Sequence, residues 1–92
     1  MDAVAQVLGK QVLRSGTSVG ANYREASRGR SKAEFISKIG DGLKEIEETE
    51  YWLELLVDSG CVPTARMTDL LGETRQLIAI FTTIDKNAKR SA

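Results

Sequence analysis

A chain of 92 residues, 41% hydrophobic and 28% charged, has the composition of one small globular domain rather than a disordered segment. Thirteen basic residues balance thirteen acids and no histidine occurs, which excludes histidine-based acid–base catalysis and zinc sites with His ligands.

The first predicted element is a helix from about Asp2, a fair N-cap, to Arg28. Val4, Leu8, Val12, Val19, Tyr23 and Ala26 recur along it at mostly three- and four-residue steps. Its middle reads "LRSGTSVGANYREA", where Ser15, Gly16, Thr17, Ser18, Gly20, Ala21 and Asn22 crowd together although such residues are poor interior helix formers. Gly16 and Gly20 stand one turn apart, so a neighbouring helix backbone is expected to approach closely there. The hydroxyls of Ser15, Thr17 and Ser18 are expected to bond carbonyls one turn back. Arg14, Ser18, Asn22 and Glu25 bring donors and acceptors to this region. A polar network at a helix or subunit contact is expected from Arg14, Asn22 and Glu25, partnered by Lys38 or Glu45.

Gly29 ends this helix in the manner of a C′ glycine. "SKAE", Ser31 to Glu34, then forms a capping box and opens a second helix that stops at Gly60. Phe35, Ile36, Ile39, Leu43, Ile46, Leu53, Leu56 and Val57 mark its apolar stripe. Gly40 and Gly42 each cost about 1 kcal/mol relative to Ala, but the stripe passes them in phase, so one unbroken helix is predicted. Pro63 closes the loop "GCVPT", with Thr64 as the expected cap of a third helix. That helix carries Met67, Leu70, Leu71, Thr74, Leu77, Ile78, Phe81, Ile84 and Ala88. Lys86, Lys89 and Arg90 suit the negative end of its dipole. Leu43, Ile46, Leu53, Leu56, Leu70, Leu77 and Phe81 are the expected core. The fold class is all-α, an up-down antiparallel bundle in a single domain over residues 1–92.

No apolar run approaches the roughly 20 residues needed to cross a bilayer, so no membrane role is expected. The N-terminus "MDAVAQVLGK" lacks the basic-then-apolar order of a signal peptide. The single Cys61 permits no internal disulfide and fits a reducing cytoplasm.

Charge is unevenly placed. Residues 1–44 hold eight basic side chains and four acids, so this part is +4 and the remainder −4. Such asymmetry presents a basic face or lets subunits pair head to tail. Arg24, Arg28, Arg30 and Lys32 straddle the first helix-to-helix corner. They read either as solubility and dipole compensation or as a phosphate-contacting patch. Glu45, Glu47, Glu48, Glu50 and Glu54 invite a metal hypothesis, but the Glu-x-x-His partner of di-metal bundles is missing. A solvated face or inter-helix salt bridges is the better reading. Tyr51 and Trp52 are adjacent, so one can enter the core while the other seals an interface. No nucleotide-binding glycine pattern appears, and no cofactor, metal or catalytic residue is expected.

Three stretches, "QVLRSGTSVGANYREA", "SKAEFISKIGDGLKE" and "ETEYWLELL", resemble the family named for 23S rRNA intervening sequences, also called S23 ribosomal proteins. Their order and spacing agree with that family, and a weaker likeness continues through the third helix. The resemblance implies an up-down four-helix bundle and, from characterised members, a ring-like homopentamer. It further implies kinship with accessory proteins of diversity-generating retroelements, which bind a reverse transcriptase and nucleic acid through a basic surface. Those relatives are markedly basic, whereas this chain is neutral overall. Family members carry one more helix before the "LRSGTS" helix, and this sequence starts too late to contain it. Three helices are therefore expected, with an apolar groove where the family's first helix packs. The expected function is that of a non-enzymatic, oligomeric, cytoplasmic accessory protein. Its partners would be RNA, DNA or a nucleic-acid enzyme such as a reverse transcriptase. A protein-only scaffold is the alternative.

Overall fold

The computed structural model describes residues 3–90 as three long helices: α1 (Ala3–Ser27), α2 (Lys32–Asp58) and α3 (Thr64–Arg90). No strand occurs among the described residues. The expected Asp2 cap lies outside them.

Local chemistry sets the turns. Ser31 caps α2 from an extended conformation (φ −142°, ψ 161°), its Oγ accepting the Glu34 amide at 3.1 Å. The Glu34 carboxylate reaches back one residue further than in a standard capping box and accepts the Arg30 amide at 3.0 Å. Gly29 stops α1 without the left-handed conformation expected of it. A Cβ there would stand 3.2 Å from the Ala26 carbonyl oxygen, a tight contact that a side chain could make only if the carbonyl moved by a few tenths of an ångström. Gly60 does take that conformation, at φ 77°, and the Cys61 and Val62 amides return to the Leu56 carbonyl at 3.1 and 3.2 Å. Thr64 is already helical rather than a cap; the Pro63 carbonyl accepts the Arg66 amide at 3.0 Å and starts α3.

Helix α2 lies in the middle. Helices α1 and α3 both pack on it, and no Cα of α1 comes within 8 Å of one in α3. The molecule is accordingly a thin slab, 47 × 20 × 13 Å. Its core forms two clusters. At one end are Leu8, Leu53, Leu56, Met67 and Leu71. At the other are Ala26, Ile39, Ile46 and Phe81. Between them lies a polar belt of Ser15, Thr49 and Thr74. The Thr49 hydroxyl donates to Ser15 Oγ at 2.7 Å, and fully buried Ser15 passes its own proton to the Gln11 carbonyl at 2.9 Å. Thr74 bonds the Leu70 carbonyl at 2.7 Å. Each hydroxyl is satisfied within the helices, so the penalty for an unpaired buried group does not arise.

Helix α2 runs unbroken through Gly40 and Gly42. Among the expected core residues, Ile46, Leu53, Leu56 and Phe81 are buried and Leu43 is half-buried. Leu70 and Leu77 are not core: they remain 44% and 42% exposed. Their stripe turns from α2 toward the space between α1 and α3.

Candidate association surface

That space is a groove. Its floor is α2, through Ile46, Thr49 and Leu53, and its walls are α1 and α3. The α1 wall is small and smooth, built from Val12, Gly16, Val19 and Gly20; the α3 wall is bulky, built from Leu70, Leu77, Ile80 and Ile84. No charged side chain lines it. The walls meet through side chains at one end, where the Tyr23 and Phe81 rings stand 6.0 Å apart. Gly16 and Gly20 therefore do not serve a close contact inside this chain. A Cβ on either would meet nothing within 4 Å. The close internal contact falls instead at Gly42, where a Cβ would lie 2.8 Å from Phe81 and 3.6 Å from Asn22 Cβ.

The polar residues singled out in α1 lie on its other flank and separate into two contacts. Arg14 pairs with Glu45 at 3.5 Å and with Glu48, while Gln11 accepts from its Nε at 3.0 Å. Trp52 joins this group, its indole nitrogen donating to Glu48 at 3.2 Å. Glu25, three turns further on, pairs with Lys38 at 2.9 Å. That contact holds the Lys38 ammonium protonated above its ordinary range, first through the Glu25 hydrogen bond and then through its charge. Asn22 has no side-chain hydrogen bond among the described residues and packs beside Gly42. Ser18 bonds only the Arg14 carbonyl, at 3.0 Å, much as Thr17 bonds the Leu13 carbonyl at 2.9 Å. Arg14, Asn22 and Glu25 thus form no single network, because eleven residues of helix hold its ends roughly 16 Å apart.

On the opposite side of α2, Arg75 of α3 bridges Glu50 at 3.0 Å and Glu54 at 3.2 Å, and both hydrogen bonds raise its pKa. Glu45, Glu48, Glu50 and Glu54 are thereby committed to cations of the two flanking helices. No group of acids, cysteines or histidines among the described residues could hold a metal ion. The sequence does not reveal Gln11, Glu48 and Arg75 as partners in these contacts. Only the i, i+4 spacing of Glu50 and Glu54 hints at a shared cation.

Arg24, Arg28, Arg30 and Lys32 are all exposed at the α1–α2 corner. None of the three guanidinium groups has an acidic partner among the described residues, in contrast with Arg14 and Arg75. Tyr51 is exposed and meets the half-buried Trp52 edge-on, with centroids 5.1 Å apart.

The comparison with family profiles decides the kinship, matching residues 2–83 to the 23S rRNA-intervening sequence proteins. The chain belongs to that family. It is also similar to the crystal structure, at 1.70 Å, of a protein with unknown function from the S23 ribosomal protein family of Bacteroides thetaiotaomicron VPI-5482. The two share 42% identity and a TM-score of 0.84 over 87% of this chain and 74% of the other. Comparison with curated proteins gives no match. No helix among the described residues is long and apolar enough to cross a membrane.

Proposed function

We propose that this chain is a non-enzymatic, oligomeric accessory protein of the cytoplasm that works by binding rather than by chemistry. The observation that carries this reading is the uncharged groove between α1 and α3, floored by Ile46, Thr49 and Leu53. An open apolar groove on a molecule this small favours cover by another chain. A homo-oligomer supplies that cover, either as the five-membered ring implied by the family resemblance or as a smaller assembly. Light scattering at micromolar concentration tests it: an assembly is expected, and a monodisperse 10.1 kDa monomer with no partner refutes it.

A second reading, contact with RNA or DNA alone or beside a nucleic-acid enzyme such as a reverse transcriptase, is favoured by Arg24, Arg28 and Arg30, whose guanidinium groups have no acidic partner among the described residues. Symmetry would repeat that corner around an assembly and strengthen its field. Binding to single-stranded RNA that weakens with salt supports it. Absence of binding at low salt leaves the protein-only scaffold.

A further inference from the structure

We infer that the last turns of α3 join the α1–α2 corner in one basic end, and that this end binds the phosphate backbone of a nucleic-acid strand through Arg24, Arg28, Arg30, Lys86 and Arg90. This rests on the second reading above. It adds to the corner a second element that stands more than fifty residues away in the sequence.

The fold brings the two together. Asn22 of α1 and Phe81 of α3 lie at one level, since both approach the Cβ position of Gly42, at 3.6 and 2.8 Å. From that level α1 and α3 run in the same direction, antiparallel to α2, at about 1.5 Å per residue. Lys32, the first residue of α2, is ten residues from Gly42, or about 15 Å. Arg90, the last of α3, is nine residues from Phe81, or about 14 Å. Lys86, five residues from Phe81, stands level with Ser27 at the close of α1. The three helix ends therefore share one end of the slab, whose cross-section is 20 × 13 Å.

Charge is concentrated there. Residues 22–41 and 81–90 hold eight basic side chains against Glu25, Glu34, Asp41 and Asp85, an excess of four. The remaining described residues hold five basic side chains against eight acids. Glu25 is taken by Lys38 and Asp85 by Lys89, while Glu34 accepts the Arg30 amide. Arg24, Arg28, Arg30, Lys86 and Arg90 are all exposed, and none has an acidic partner among the described residues. Arg24 with Arg28, and Lys86 with Arg90, are like charges four residues apart on a helix, a spacing that costs stability. Neither pair is offset within the chain, and a polyanion laid across both relieves the repulsion. A stacked strand carries a phosphate about every 3.4 Å, so a 20 Å span meets this end with about six, close to the number of free cations. Such contacts go to the backbone and carry no sequence information.

The test measures binding of a single-stranded 20-nucleotide RNA of mixed sequence across a range of salt. Lys86→Ala with Arg90→Ala is compared with Lys10→Ala with Arg66→Ala, which removes the same charge from residues toward the opposite end. Circular dichroism and light scattering check that both double variants keep native helicity and mass. The first pair should weaken binding roughly 10-fold at about 50 mM salt and lower the salt slope by up to about 1.4, and the second should do neither. RNA binding that both pairs weaken equally, or that neither weakens, overturns the shared end and leaves the second reading standing. No RNA binding by the native chain at about 50 mM salt overturns both. Phosphatidylserine vesicles that bind more tightly than the RNA overturn the nucleic-acid assignment in favour of a lipid surface.

Discussion

Gly42 and Phe81 touch so closely that α2 has no room for a side chain at that point: a Cβ on Gly42 would stand 2.8 Å from Phe81 Cε2. Two residues earlier, a Cβ on Gly40 would meet nothing within 4 Å. The same substitution should therefore act with opposite sign at the two positions. Gly40→Ala should stabilise by up to about 1 kcal/mol through helix propensity. Gly42→Ala gains that propensity but must displace the Phe81 ring, for a net loss of roughly 1–2 kcal/mol. Urea unfolding of the two variants checks it, and equal midpoints would contradict the packing.

The exposed and buried halves of the apolar stripe on α3 can be separated in the same way. Phe81→Ala, or Leu53→Ala on α2, should cost roughly 2–5 kcal/mol, because both side chains are buried in the core clusters. Leu70→Ala, on a side chain 44% exposed, should cost under about 1 kcal/mol at concentrations where the chain is not associated. A large loss at Leu70 under those conditions would put the stripe back inside the chain.

Lys38 gives a pH signature. Glu25 raises its pKa above 10.5 in the folded chain, so the pair's contribution is fully present below the unfolded value. It is lost as pH rises through the folded value. The stability difference between the native chain and Lys38→Met should be constant from neutral pH to about 10 and should shrink above it. A difference that widens with alkalinity would have the wrong sign for this contact.

If RNA is bound at the α1–α2 corner, replacing Arg24, Arg28 and Arg30 by Ala should flatten the dependence of log affinity on log salt. The expected change is about 0.7 for each phosphate that is no longer neutralised. Arg75→Ala, on a guanidinium already held by Glu50 and Glu54, should leave the slope unchanged. Equal slopes for all variants would locate any binding elsewhere.

What can be read in the sequence is local. The Ser31 cap, the Gly60 stop and the continuity of α2 depend on residues within a turn of one another, and all three are present. The apolar period of α3 is equally plain, but a period says which residues share a face, not which neighbour the face meets. Sequence reasoning therefore places Leu70 and Leu77 in a core that α1 and α3 leave open between them. The glycines of α1 show the same limit. They do mark a helix surface suited to close approach, yet within the chain that approach occurs at Gly42. Cross-helix pairs such as Arg14 with Glu48 depend on how two helices are rotated against each other, which no spacing in one helix encodes.

The central position of α2 has a kinetic consequence. No backbone contact joins α1 to α3, so the helix pairings made as the chain folds all involve α2, and both hairpins bring together segments adjacent in sequence. Such short-range pairing folds quickly. Either hairpin can form first, but α2 must be structured in both routes. Substitutions along the buried face of α2, at Ile39, Ile46 or Leu53, should slow folding itself. Equivalent losses on α1 or α3 slow only one of two routes and should show mainly as faster unfolding.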